Sequence, residues 1–300
     1  MPTEEDDTET DENATLPPTE AFRLLSDGTR LQTLQGLVEL TDESGYGSEP
    51  VSFSALHAQV ETDDSAHFNY HLQELRDQFV EQTEDGYRAR YPARKVVRAI
   101  RAGTFTERAA LADEPIDGTC PQCGDADLRV SYTDEKLHVR CGACETGLTS
   151  NDFPPGGFEE RSLADVLHAF DRLVRHRVSF AVDGVCPECT AKMEGHVTTD
   201  IPTTWGYEAL PAFDCVRCDF SVLPSFGMLL LDHPDVVAFH RNRGEDLREP
   251  PFWELALCVS DRYTTIESRE PWRVTVRVPG EEGELVASVE GADVVDVQVS

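Results

Sequence analysis

Eight cysteines stand in four Cys-x-x-Cys pairs, Cys120/Cys123, Cys141/Cys144, Cys186/Cys189 and Cys215/Cys218, the ligand supply for two tetrahedral zinc sites. Such a knuckle brings two thiolates to one ion while its amides hydrogen-bond the sulfurs, and Pro121, Gly124 and Gly142 suit turns of that kind. Four cysteines leave no open coordination position, so the chemistry predicted is two structural zinc ions and not catalysis. Local pairing joins 120/123 with 141/144 and 186/189 with 215/218; crossed pairing, which would weld the two units together, is the other arrangement. His138 and His196 are spare ligands in principle, but complete cysteine sets make them packing or exposed side chains. Cys258 is left over inside the apolar run Leu255-Ala-Leu-Cys-Val259 and reads as a small core residue.

Short elements must hold these knuckles. Between the first two pairs Leu128, Val130 and Tyr132 alternate, Thr133-Asp-Glu-Lys136 turns, and Leu137 and Val139 alternate back, the pattern of a zinc-ribbon hairpin. The second unit has a longer spacer: a strand fits residues 191–197, and Pro202, Trp205-Gly206 and Pro211 predict an inserted loop. A helix links the units, with Leu163, Val166, Leu167, Phe170, Leu173 and Val174 on one face. Glu159 and Glu160 stand at its expected start and Arg172, Arg175 and Arg177 at its end, matching the helix dipole. Helices fit 232–243 and 250–259, and strands fit 272–278, 285–289 and 294–299.

Upstream, residues 1–18 form an acidic tail with almost nothing apolar to bury, expected to be disordered. Residues 21–40 carry helical spacing that Ser26-Asp27-Gly28 can break in two, and residues 42–48 read as a loop. A short helix fits 53–60, capped near Ser52 or Ser54, and a longer one begins at Ser65, its stripe Phe68, Leu72, Leu75 and Phe79 running on to Gln78 or beyond. Residues 79–83 and 87–91 flank Glu84-Asp85-Gly86, a hairpin signal, and 92–110 read as another helix. That order is helix, helix, helix, two-stranded wing. From 86 to 106 the chain holds Arg88, Arg90, Arg94, Lys95, Arg98 and Arg101 with no acidic residue, the distribution that phosphate contact requires; pairing with an acidic neighbour is the plainer account. The first cysteine unit, by contrast, balances Arg129, Lys136 and Arg140 against Asp125, Asp127, Asp134 and Glu135, which points to an interface or a sensing domain and not to a nucleic-acid reader.

Residues 19–106 resemble the ArsR-type winged helix-turn-helix family in its haloarchaeal form. The resemblance is carried by Leu24-Leu-Ser-Asp-Gly-Thr-Arg30-Leu, similar to the family's opening helix, and by Ser65-Ala-His-Phe-Asn-Tyr-His-Leu-Gln-Glu-Leu75, similar to its recognition helix. It implies a recognition helix in the major groove of double-stranded DNA, a wing on the backbone and a symmetric dimer made by terminal helices. By position, Ser65, His67, Asn69, Tyr70 and Gln73 would face DNA, and Arg88 and Arg90 would lie in the wing. Metal-sensing members carry a cysteine pair on the preceding helix; Ser54-Ala-Leu-His-Ala-Gln-Val60 has none, so sensing at that place is unsupported. His67, Asn69 and His71 together suggest a metal, but on such a helix they read as DNA-facing or solvated polar residues. Asp232-His-Pro-Asp235 has a catalytic look that a capping Asp with Pro in the first turn explains.

Composition bounds the rest. The net charge is −31, and Lys95, Lys136 and Lys192 are the only lysines among 26 Lys plus Arg, a usage that resembles proteins of salt-in halophiles, where surface carboxylates keep the protein hydrated. No stretch approaches the roughly 20 apolar residues of a membrane span, and the first 18 residues lack the basic and apolar regions of a secretory leader, so a cytoplasmic protein is expected. There is no Gly-rich phosphate loop and no nucleophile elbow. The expected protein is therefore α+β and not an enzyme: tail 1–18, winged helix-turn-helix 19–110, first zinc ribbon 118–150, then 151–300 with a helix, the second ribbon, C-terminal helices and antiparallel strands. Its expected role is sequence-specific transcription regulation, with the effector unread. The alternative is a scaffold of the transcription machinery that binds protein and not DNA.

Overall fold

The structure, a computed structural model, describes residues 16–43, 49–202, 206–280 and 283–300. Residues 1–15 of the expected tail, most of the 42–48 loop and Trp205 lie outside the described residues, and Pro18, counted with the tail, opens the first helix. The chain separates into two compact units, Met1–Thr106 and Glu107–Ser300, each with its own core.

In the first unit the predicted break at Ser26-Asp27 divides α1 (Pro18–Leu25) from α2 (Gly28–Glu43). Ser52 accepts from the Ala55 amide and starts α3 (Phe53–His57). Asp64 accepts from the Ala66 and His67 amides and starts α4 (Ser65–Glu74). Two of the four orphan amides of that terminus are thereby satisfied. The helix expected to reach Gln78 stops at Glu74: Asp77 takes φ 68°, a left-handed conformation that turns the chain into the hairpin. That hairpin is β1 (Val80–Thr83) with β2 (Gly86–Ala89), joined through Glu84-Asp85. Phe68, Leu72 and Leu75 are fully buried, each worth about 1.5–3 kcal/mol relative to exposure. The next helix, α5 (Tyr91–Arg101), ends well short of 110.

Val51 extends the hairpin by one bridge, donating to the Tyr87 carbonyl at 2.8 Å and accepting from its amide at 2.9 Å. Gly86 makes this approach with φ +146°, and a Cβ there would stand 2.3 Å from the Val51 carbonyl oxygen. Gly86→Ala is therefore expected to destabilise the first unit by roughly 1–3 kcal/mol, read from the shift of its urea midpoint; an unchanged midpoint would mean that the bridge contributes nothing.

Among the described residues the second unit holds three antiparallel sheets. The first is β3 (Leu111–Ile116), β4 (Leu128–Thr133), β5 (Lys136–Cys141) and β6 (Gly147–Asp152), in that order. The predicted ribbon hairpin forms its centre, and two strands that the sequence did not announce flank it. After it comes α6 (Leu163–Val182), started by a reciprocal pair of bonds between Ser162 and Asp165. Glu159 and Glu160 precede this helix instead of starting it, and Arg172 and Arg175 sit mid-helix, turned to Asp171 rather than to a terminal dipole. The second sheet is β7 (Met193–Thr198), β8 (Leu210–Cys215) and β9 (Ser221–Val222). Pro211, expected in a loop, lies within β8 opposite Val197, where β9, which pairs only Phe213 and Asp214, makes no demand on its missing N–H.

Two short helices, α7 (Pro234–Arg241) and α8 (Ala256–Val259), lead to the last sheet. Its strands run in sequence order, β10 (Thr264–Arg269), β11 (Trp272–Gly280), β12 (Gly283–Glu290) and β13 (Asp293–Val299). The start of α7 is capped by the His233 ring, which accepts from the Asp235 amide at 3.3 Å, and not by Asp232. One continuous core joins both ribbons, α6 and the last sheet, with Val166, Phe170, Val174, Val178 and Ala181 of α6 inside it. Cys258 belongs to this core at 2% exposure, and burial pushes its thiol up to about 12. Among the described residues no helix is long and apolar enough to cross a membrane.

Candidate functional site

Four knuckles of one design supply the cysteines. In each, the amide of the first cysteine donates to the carbonyl five residues on: Cys120 to Asp125, Cys141 to Thr146, Cys186 to Ala191 and Cys215 to Phe220, at 2.8 to 2.9 Å. The residue after the second cysteine takes a left-handed conformation in every case: Gly124, Glu145, Thr190 and Asp219. Only one of the four is glycine, so the bond across the knuckle, and not residue type, holds three side chains in a conformation that L-residues seldom adopt. Gly142 makes room for a side chain: a Cβ there would lie 2.2 Å from the Asp127 carboxylate, which would have to turn away.

The knuckles close locally. Cys120, Cys123, Cys141 and Cys144 form one group and Cys186, Cys189, Cys215 and Cys218 the other, the ligand atoms of each lying within 4.8 Å of one another. Sulfur separations are 3.8 Å for Cys120 and Cys144, 3.7 Å for Cys123 and Cys141, 3.6 Å for Cys186 and Cys218, and 3.5 Å for Cys189 and Cys215. A tetrahedral ion with metal–sulfur bonds of about 2.3 Å sets its sulfurs about 3.8 Å apart. The donor sets therefore fit a metal ion, and crossed pairing is excluded by the geometry. The Thr146 hydroxyl, 3.3 Å from Cys144 Sγ, together with the Thr146 amide, lowers that thiol to about 6, favouring the thiolate a metal takes. The Arg217 amide donates to Cys215 Sγ at 3.4 Å.

The first knuckle is also anchored from outside. Gln122 donates to the Val259 carbonyl at 3.1 Å, Arg262 to the Pro121 carbonyl at 2.9 Å, and the Thr119 amide to Glu254 at 3.1 Å. Arg129 and Arg140 both bond Asp113 of β3, at 2.5 and 2.8 Å, so these two arginines of the ribbon share a neighbouring carboxylate.

In the first unit, α4 exposes Ser65, His67, Asn69 and Tyr70. Gln73 is half-buried and linked both ways, donating to Asn69 Oδ1 at 3.4 Å and accepting from Arg76 at 2.6 Å. Arg76, not singled out from the sequence, stands three residues past Gln73 and joins this polar row. His71, read from the sequence as surface or DNA-facing, is 6% exposed. Its Nδ1 stands 3.5 Å from Asp27 Oδ1 and its Nε2 3.0 Å from His67 Nε2. Of the basic residues, Arg88 is half-buried, Arg90 exposed, Arg94 bonded to the Ala89 carbonyl, and Lys95 poised 6.0 Å over the Tyr91 ring.

Residues 117–295 match the model of a family described as Domain of unknown function (DUF7351). The chain belongs to the DUF7351 family. Residues 18–100 match a second model, Domain of unknown function (DUF7347). No curated protein and no solved structure matches the chain. Both cysteine quartets thus lie within the DUF7351 match, and α4, the hairpin and α5 as far as Ile100 lie within the DUF7347 match. What the sequence did not announce in the DUF7351 region is the outside support of the first quartet: Gln122 and Arg262 carry no local signal, since their partners, the Val259 and Pro121 carbonyls, are brought by the fold.

Proposed function

We propose that the chain is a sequence-specific DNA-binding regulator of transcription, a dimeric winged helix-turn-helix protein of ArsR type, whose Glu107–Ser300 unit is braced by two structural zinc ions. The observation that carries the reading is α4: it buries Phe68 and Leu72, with Leu75 buried at its C-cap, and turns Ser65, His67, Asn69, Tyr70 and Gln73 outward or into a polar row, shortly before a hairpin. A helix so divided supplies side chains to base edges while its apolar side rests on the domain. Arg88, Arg90, Arg94 and Lys95 follow on the hairpin and α5 and would meet phosphates. Zinc is the ion favoured by a closed four-thiolate set with no position for water or substrate.

With a charge of −31 the chain suits concentrated salt, where counterion release contributes little to affinity, so base-edge contacts and shape must supply more of it. The test is selection of duplexes from a random library by the full zinc-loaded chain. One motif is expected to be enriched. Gln73→Ala or Tyr70→Ala should relax discrimination at the contacted base by about 1–3 kcal/mol, whereas Arg90→Ala should weaken all sequences alike and reduce the salt slope by about one. No enrichment, or a motif untouched by Gln73→Ala and Tyr70→Ala, would reject the reading in favour of a protein-binding scaffold.

A further inference from the structure

We propose that His67 and His71 form a binding site for a borderline divalent cation such as zinc or nickel, on the first unit and separate from the cysteine quartets. The two rings are one helical turn apart on α4, and their Nε2 atoms face each other at 3.0 Å. Metal–imidazole bonds of about 2.0–2.1 Å, meeting at angles between square and tetrahedral, place two nitrogens about 2.9–3.4 Å apart, so an ion fits the pair without moving a backbone.

A carboxylate stands near the far nitrogen of His71. Asp27, held at the α1–α2 junction by the Arg30 amide at 3.1 Å, presents Oδ1 to His71 Nδ1 at 3.5 Å. His71 Nδ1 makes no hydrogen bond at this distance; a proton held on that side, toward the carboxylate, would leave the Nε2 lone pair for the ion. His71 is otherwise set by packing: it is 94% hidden, with the rings of His67 and Tyr70 edge-on at 4.4 and 5.2 Å. His67 is exposed, so the remaining coordination positions open to solvent and take water or an incoming donor. Without an ion the same 3.0 Å accommodates a hydrogen bond between the rings, the state that binding would replace. The site stands on this geometry alone and does not depend on duplex recognition; an ion there would add positive charge to the surface we propose reads DNA.

The experiment is calorimetric titration of nickel into the full chain, first loaded to two zinc ions and held at neutral pH, with released zinc followed by an indicator dye. One further ion per chain is expected, without zinc release, and His67→Ala, an exposed change that spares the core, is expected to weaken that event at least about tenfold. Absence of the event, uptake matched by zinc release, or an isotherm unchanged in His67→Ala overturns the proposal. A loss of DNA selection with nickel binding intact would reject only the duplex reading.

Discussion

Removing the ions with a chelator is expected to unfold the whole Glu107–Ser300 unit and not merely loosen two surface turns. Cys120, Cys141, Cys186 and Cys215 are buried within the core that also holds Phe170, Trp253 and Val276. Without a cation each quartet becomes a cluster of sulfurs 3.5 to 3.8 Å apart that can neither ionise together nor pair with a base. Structural zinc contributes on the order of 10–16 kcal/mol in small metal-folded peptides at neutral pH. A contribution of that order exceeds or matches the net stability of most domains, about 5–15 kcal/mol. Cys141→Ser and Cys215→Ser should each lower the metal content from two ions per chain to one and abolish the cooperative thermal transition of the second unit. The first unit, with a core that contains no cysteine, should retain its own transition. A second-unit melt that persists after complete chelation would show that packing alone sustains the fold.

The second large effect is expected at Asp171. This carboxylate is 2% exposed in the middle of α6 and accepts from four groups: the Phe252 amide at 2.7 Å, Arg175 Nε at 2.8 Å, and two nitrogens of Arg172, at 2.9 and 2.5 Å. The same arginines reach on to the Arg248 and Pro250 carbonyls, so one side chain pins the 248–252 segment to α6. Asp171→Ala leaves the Arg175 side chain, itself only 10% exposed, without its countercharge. Breaking a buried pair from one side costs about 3–5 kcal/mol, read here as a fall in the urea midpoint of the second unit at constant slope. Asp171→Asn keeps an acceptor for the Phe252 amide and should lose less. Equal losses in the two variants would mean that the charge has no part in the clamp.

Much of the local architecture was legible because its causes are local. The α3 start at Ser52, the break at Ser26-Asp27 and the β4–β5 hairpin follow from capping, turn and alternation signals within a few residues. The edge strand β3, Leu-Ala-Asp-Glu-Pro-Ile, could not be read: its four central side chains are exposed, so it carries no alternation, and it is a strand only because β4 is there to pair with it. Residues of β8 are buried on both faces and include Pro211, which erased the period and suggested a loop.

The candidate sites divide in the same way. All eight cysteines of the two candidate metal sites could be named from spacing alone, because a Cys-x-x-Cys knuckle contains its own hydrogen bond and needs no neighbour to present two thiols. Which pairs share an ion was decided by the strands, since β4–β5 and β7–β8 bring the ends of each ribbon together and keep the ribbons apart. The burial of His71 and its approach to Asp27 required α4 to be seen against the α1–α2 junction, forty-odd residues away in the chain. Asp171 is one carboxylate among 57 acidic residues, and only the packing of the 248–252 segment on α6 distinguishes it. Interactions whose partners lie within a turn are written in the sequence; those made by segments that meet only after collapse belong to the tertiary structure.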